Sequence, residues 1–215
     1  VSFSKYIASL EKTVESDRVA VIYASGSINS GKGYNDIYSE NLIKEIKKVK
    51  ENDKIKAVVL RVNSPGGSAN ASDEILFELQ QIKTKKPIIV SFGDYAASGG
   101  YYIAMAADKI YSEPNTITGS IGVFGLLTSF KDLANKNGVR SDIVQTNANS
   151  HMFSPITGTS AGTIKIMTKS VESTYKRFVH FVTQNRKKTF DEIDAIGGGR
   201  VWSGTRGKEI GLVDE

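Results

Sequence analysis

The residues best suited to chemistry lie in Ala96-Ala97-Ser98-Gly99-Gly100, just after the β-prone run Ile88-Ile89-Val90-Ser91-Phe92. That run predicts a short buried strand, Gly93 permits a sharp turn after it, and Ser98 then falls where a helix begins. A serine placed there has free backbone N–H groups beside it, which can donate to an oxyanion. The same position also suits a serine that only caps the helix. A second turn, Asn63-Ser64-Pro65-Gly66-Gly67, follows the apolar run 55–60 and precedes a helical pattern at Ile75, Leu76, Leu79 and Ile82. Pro65 fixes one dihedral and Gly66-Gly67 leave the next amides unobstructed, so this turn too can donate to a carbonyl oxygen. Taken alone, either one can be no more than a turn. As consecutive strand-to-helix corners of one parallel sheet they share a crevice, because adjacent parallel strands bring their C-terminal ends to the same edge.

The elements that must place these corners follow from periodicity. Residues 19–23 predict the first strand, 24–35 a loop rich in Gly, Ser and Asn, and 36–50 a helix that buries Leu42, Ile43, Ile46 and Val49. Strand 55–62, helix 68–83, strand 87–92 and a short helix from Ser98 to 106 continue a β-α-β-α-β-α order, which defines an α/β layer protein. Residues 108–112 predict a strand and Glu113-Pro114-Asn115 a turn. In 118–127, Gly119, Gly122 and Gly125 alternate with Ile121, Val123, Phe124 and Leu126, either as a buried strand with close backbone contacts or as a strand-loop at the site's border. A helix over 129–137 ends at Gly138, and 140–146 read as another strand. The long helix 161–184 carries one apolar stripe of Ile164, Met167, Val171, Tyr175, Phe178 and Val182, read as core. Short helices over 190–196 and 205–210 close the chain, with Trp202 as a packing anchor. Phe3, Ile7, Leu10 and Val14 recur at helical spacing, so 1–17 read as a lead-in helix or linker remnant before one domain over 18–215.

Composition narrows the function classes. The 215 residues are 40% hydrophobic and 24% charged, enough for a sizeable core. No run of eighteen apolar residues and no leader pattern is present, so neither a membrane span nor a signal is expected in this stretch. The absence of cysteine excludes disulfides and thiolate metal sites, and suits a periplasmic setting without establishing it. The net charge of +5 is thinly spread over 44–50, 83–86 and 186–188, where no aromatic residues interleave. These clusters read as solvated helix faces and helix C-termini rather than a nucleic-acid surface. Asp73-Glu74 and Asp191-Glu192 sit at helix starts, and no metal-ligand spacing, P-loop or dinucleotide fingerprint appears, so no metal and no cofactor is expected.

Four motifs together carry a resemblance. Asn63-Ser64-Pro65-Gly66-Gly67, Ala96-Ala97-Ser98-Gly99-Gly100-Tyr101-Tyr102, Thr118-Gly119-Ser120-Ile121-Gly122, and Gly199-Arg200-Val201-Trp202-Ser203-Gly204 with Gly211-Leu212-Val213-Asp214 resemble signal peptide peptidase A, also called protease IV, in order and separation across nearly the whole chain. The resemblance implies the Clp/crotonase-like fold of repeated β-β-α units and peptide cleavage by a serine/lysine dyad. By the same resemblance Ser98 is the nucleophile, the amides of Gly67 (with Gly66 beside it) and Gly99 form the oxyanion hole, and Ser120 orients the lysine. Cleaved signal peptides are then the substrates, a bowl-shaped homo-oligomer the assembly, and the periplasmic face of a bacterial cytoplasmic membrane the location.

The base is where the sequence departs from that pattern. Single-unit members of the family carry the lysine just before a hydrophobic-Ser-Pro segment, present here as Met152-Phe153-Ser154-Pro155, yet the matching stretch reads Asn149-Ser150-His151. No lysine occurs between Lys136 and Lys165, and Lys165 and Lys169 flank the apolar stripe of a helix as solvated residues do. A serine hydroxyl needs a base within hydrogen-bond reach, and lysine serves only where burial lowers its pKa. Resemblance to the C-terminal half of the long tandem form, whose N-terminal half supplies the lysine, accounts for the gap. His151 is the rival base, since histidine is the usual partner of a nucleophilic serine, although a histidine in a polar loop is ordinary surface. His180 is expected on the exposed side of the long helix. Two other functions stay open: a crotonase-like acyl-CoA enzyme, which shares the paired-amide oxyanion hole, and a non-catalytic peptide-binding half of an assembly.

Overall fold

The computed structural model describes residues 16–147, 150–151 and 154–215. The lead-in helix expected over 1–17 therefore falls almost wholly outside the described residues, as do Asn149, Met152 and Phe153 of the loop discussed above. Strand β1 (Arg18–Ser25) is followed by two short strands, β2 (Ile28–Asn29) and β3 (Ile37–Tyr38), and by helix α1 (Ser39–Glu51). Next come β4 (Ile55–Ser64), α2 (Ala69–Lys83), β5 (Ile88–Ala97), α3 (Gly99–Ile103) with a 3-10 turn over Ala104–Ala106, β6 (Lys109–Tyr111) and β7 (Ile117–Gly119). Helices α4 (Lys131–Lys136), α5 (Ala161–Arg186) and α6 (Phe190–Ile196), strand β8 (Val201–Ser203) and helix α7 (Gly204–Glu209) complete the order.

Helices α1 and α2 are the crossovers that let β1, β4 and β5 run parallel, with Ile22 opposite Leu60 and Leu60 opposite Val90. Because strand side chains alternate between faces, one face collects Ile22, Ala24, Val58, Leu60, Val62 and Val90. Leu42 and Ile46 of α1 and Ile75, Leu79 and Ile82 of α2 complete the same buried cluster. Burial of each large aliphatic stabilises the layer by about 1.5–3 kcal/mol. The opposite face leaves Val19, Val21 and Tyr23 exposed, so in this part of the sheet the helices cover one side. Each unit also carries a stub of second strand. It is β2 with β3 in the first unit, a single bridge between Ile28 and Gly67 in the second, and the far end of β5 in the third. The expected α/β fold of β-β-α units is thus the one observed.

Several elements differ from the sequence reading. Gly93 does not turn the chain, because β5 runs through it to Ala97. The strand pairs with β4 and β6 before Gly93 and with β7 after it, and its register against β4 shifts between Val62 and Ser64. Glycine is required there because a Cβ would stand 2.9 Å from Asn63 Oδ1, the atom that accepts the Tyr95 amide at 3.1 Å. Helix α1 begins at Ser39, since Ile37 and Tyr38 are spent on β3. Residues 140–146 form no strand: Ile143 and Val144 are exposed, with no neighbouring strand among the described residues to satisfy their backbone groups. The apolar stripe of α5 is core only toward its end, where Phe178 and Val182 are buried, whereas Ile164 is 52% exposed.

Candidate active site

The corner after β5 is built to hold one backbone conformation. Ser98 adopts φ 52° and ψ −120°, a region that non-glycine residues enter only under constraint from their surroundings. The constraint is visible: the Ser98 amide donates to the Gly119 carbonyl at 2.9 Å, and the Ser98 carbonyl accepts the Tyr102 amide at 2.8 Å. Behind the corner, Tyr101 is fully buried and its hydroxyl donates to the Leu212 carbonyl at 2.7 Å. Burial pushes the Tyr101 phenol well above its ordinary range, so it stays protonated and keeps that bond. The chain end is itself clamped, with Arg186 donating to both carboxylate oxygens of Asp214 at 3.0 and 2.9 Å while Asp214 also accepts the Ile110 amide at 2.7 Å. The helix that follows Ser98 has only five residues before the 3-10 turn, so what it offers is local amides rather than a long dipole.

The Pro65-Gly66-Gly67 turn packs directly against this corner. Gly66 has φ 100°, and a Cβ there would lie 2.6 Å from the Gly99 nitrogen and 2.8 Å from Ser98 Cβ. Any side chain would therefore drive the two corners apart. The Gly66 amide is already engaged by the Ser64 hydroxyl at 3.1 Å. The amides of Gly67 and Gly99, in contrast, have no acceptor among the described residues. Nor does any hydrogen bond among the described residues engage the hydroxyls of Ser98 or Ser120. Ser120 repeats the strained geometry with φ 49°, its amide held by the Arg200 carbonyl at 2.7 Å.

Gly66, Gly67, Ser98 and Ser120 line one cleft of about 830 Å³, facing Val171, Glu172 and Tyr175 of α5. Gly99 lines an adjoining pocket of about 230 Å³ that shares Gly67 and Ser98 with the cleft. The structure thus brings together all five residues singled out from the sequence. It does not bring the expected base: among the described residues neither a lysine nor a histidine lines either cavity. His151 sits instead in a separate depression with Lys131 and Asp132, its Nε2 2.9 Å from Thr157 Oγ1. Lys165, Lys169 and His180 are exposed on α5, as expected.

Sequence reasoning missed Glu172 and read Tyr175 only as core. Tyr175 lines the cleft, donates its hydroxyl to Asp194 at 2.6 Å and accepts the Gly198 amide at 3.3 Å. Desolvation first, and the bond to Asp194 second, raise its pKa. The only signal for either residue was its place on a helix facing the 118–127 glycine run.

The parallel α/β layer, with a strained serine corner and a glycine corner meeting at one sheet edge, defines the class: an α/β protein with the Clp-type fold. A mutant of ClpP1 from Listeria monocytogenes shares this fold, with a TM-score of 0.58 at 19% identity over 91% of this chain and 89% of that one. Residues 80–215 match Peptidase family S49, and residues 11–118 match Clp protease. Protease 4 from Salmonella typhi is 41% identical over 91% of this chain and 32% of its own length. A putative signal peptide peptidase SppA from Enterococcus faecium is 36% identical over 97% of this chain and 60% of its own. A putative protease from Synechocystis sp. is 32% identical over 94% of this chain and 71% of its own. The chain belongs to peptidase family S49. It spans about a third of the length of the first curated relatives it matches.

Proposed function

We propose that the protein is a serine endopeptidase in which Ser98 attacks the scissile carbonyl, with cleaved signal peptides as substrates. The observation that carries this reading is the meeting of an unengaged Ser98 hydroxyl with two unengaged amides, Gly67 and Gly99, at one cleft. As the hydroxyl adds to the carbonyl carbon, negative charge develops on oxygen, and preorganised N–H donors there are worth roughly 2.7–4 kcal/mol each. The peptide C–N bond then breaks, its amine leaving with the proton first taken from Ser98, and water hydrolyses the ester left on Ser98 to release the carboxylic acid. A lysine amine accepts the serine proton, oriented by the Ser120 hydroxyl, and comes from an N-terminal half of a tandem protein. Two facts support that origin: neither a lysine nor a histidine lines the cleft among the described residues, and the relatives named Protease 4 are about three times as long as this chain. The Clp-type fold supports a homo-oligomer with its active sites facing inward, and likeness to SppA supports the cell envelope, on the periplasmic side of the cytoplasmic membrane. Among the described residues no helix is long and apolar enough to cross a membrane.

The test is covalent capture. A fluorophosphonate incubated with the full-length protein is expected to label Ser98, located by peptide mass mapping, and to leave the Ser98→Ala variant unlabelled. Labelling at another serine, or unchanged hydrolysis of an apolar peptide by Ser98→Ala, would overturn the reading. A crotonase-like acyl-CoA enzyme needs no nucleophilic serine, so labelling at Ser98 also separates the two. The missing base favours a second reading for this chain alone, as a half that binds peptide without cleaving it.

A further inference from the structure

Among the described residues, Glu172 is the one charged residue lining the cleft of about 830 Å³ that holds Ser98 and Ser120. Apart from Tyr175, the other large side chains there, Val123, Phe124 and Val171, are apolar. A carboxylate so placed ordinarily has a cation beside it. Lys169 and Lys176 stand one helical turn to either side of Glu172 on α5, the spacing at which opposite charges pair. Neither does so, and the Glu172 carboxylate takes part in no hydrogen bond and no ion pair among the described residues. Lys169 instead borders a separate polar groove with Asn70, Asp73 and Arg177.

The polar groups nearby do not answer that charge. The Tyr175 hydroxyl, on the same wall, gives its proton to Asp194 at 2.6 Å, so a second carboxylate stands behind it. Arg200, whose charge reaches Tyr175, directs its Nη1 at the carbonyls of Ala195 and Gly197 at 3.2 and 3.0 Å and does not line the cleft. A peptide that fills the cleft takes water from Glu172, and a charge that loses its water without gaining a partner is penalised. A peptide that brings a cationic nitrogen offsets the loss, whereas one that brings a carboxylate adds repulsion. The substrates proposed above have the matching make-up, since a signal peptide joins a positively charged segment to an apolar run of about 7–15 residues.

We propose that Glu172 is a specificity-determining residue that receives a cationic nitrogen of the substrate, from a Lys or Arg side chain or from the free α-amino group of the peptide. The cleft then selects basic over acidic peptides through a charge supplied by α5. The inference rests on the peptidase reading above.

The experiment measures kcat/KM of the full-length protein on an apolar peptide in which one residue at a time is Lys, Gln or Glu. The positions scanned lie within roughly four residues of the cleaved bond, about 13 Å of extended chain to either side, and each peptide is made with a free and an acetylated N-terminus. In the native protein either the Lys-to-Gln ratio at one of these positions or the free-to-acetylated ratio is expected to reach at least about fivefold. The first result assigns the nitrogen to a side chain, the second to the α-amino group. Glu172→Gln is expected to bring that ratio within about twofold of one, and Glu172→Lys to make the Glu peptide or the acetylated peptide the better substrate. Raising the salt from about 0.02 M to about 0.5 M is expected to shrink the native ratio at least twofold. Glu172 is exposed, so Glu172→Gln tests the inference even where Glu172→Lys fails to fold. If fluorophosphonate labels Ser98 and peptides are cleaved, yet Glu172→Gln leaves every ratio at its native value or slows all peptides alike, the inference on Glu172 is wrong and the peptidase reading stands. If Ser98 is neither labelled nor needed for cleavage, the peptidase reading falls and the inference with it.

Discussion

The corner around Ser98 and the span that follows Ser120 are made in opposite ways. At the corner every neighbour fixes the backbone: the Gly119 carbonyl on the Ser98 amide, the Gly66 turn packed against Gly99, and Tyr101 anchored to Leu212. From 124 to 147, by contrast, not one residue is buried, and Phe124, Leu126 and Val144 present 83% or more of their surface to solvent. A positive-φ serine costs about 1–3 kcal/mol and persists only where the surroundings over-determine it. The difference teaches where each half of the chemistry resides. Ser98 and the unengaged amides of Gly67 and Gly99 are held ready within this chain, whereas residues 124–147 bury nothing that could keep an amine unprotonated.

Substitutions can break or sharpen that contrast. The largest effect is expected for Ser98→Ala in the full-length protein: kcat/KM on an apolar peptide falls by at least about a thousandfold with an unchanged circular dichroism spectrum. Retention within tenfold would show that Ser98 is not the nucleophile. Next is Gly66→Ala, whose Cβ would meet backbone at 2.6 Å, set against Gly138→Ala, which has φ 76° but nothing within 4 Å. The first is expected to lower kcat about a hundredfold by displacing an amide donor. The second should cost only about 1–2 kcal/mol of stability, read by denaturant melting, and leave kcat alone.

Smaller still is the effect of His151→Ala. Because His151 pairs with Thr157 outside the cleft, kcat/KM should change by less than about twofold, and a large loss would return histidine to the list of bases. The smallest effect concerns the clamp that backs the corner. Burial alone would raise the Asp214 pKa, but the Arg186 side chain and the Ile110 amide outweigh it and hold it below the ordinary carboxylate value. A depressed folded-state pKa means that this stability is fully present above the unfolded value and is lost as pH falls through the folded one. Melting temperature followed between about pH 2 and 6 should therefore show a shallower acid limb in Asp214→Asn than in the native protein.

How much of this was legible depended on whether local chemistry or distant packing decides each element. Pro65-Gly66-Gly67 and Ser98-Gly99-Gly100 announce corners because their residue types restrict the backbone wherever they occur, and the alternating strand 55–64 announces its buried face. Gly93 misled because its purpose is a contact with Asn63, thirty residues away in sequence, rather than a local turn. Ile143 and Val144 read as strand on propensity alone, but a strand exists only with a partner. Tyr175 and Glu172 could not be told from ordinary helix residues, since their role depends on which wall of the cleft α5 faces. Tyr102 stood inside a quoted motif, yet its hydrogen bond to Asp73, twenty-nine residues away in sequence, could not be read from it.

The most direct measurement is hydrolysis of an apolar peptide by this 215-residue chain alone, compared with the same chain joined to the N-terminal half proposed to supply the lysine. The expected result is negligible cleavage by the chain alone, at least about a hundredfold below the combined protein, with Ser98-dependent activity appearing when the halves are joined. Robust cleavage by the chain alone that depends on Ser98 would contradict the account, because it would place a working base within these residues.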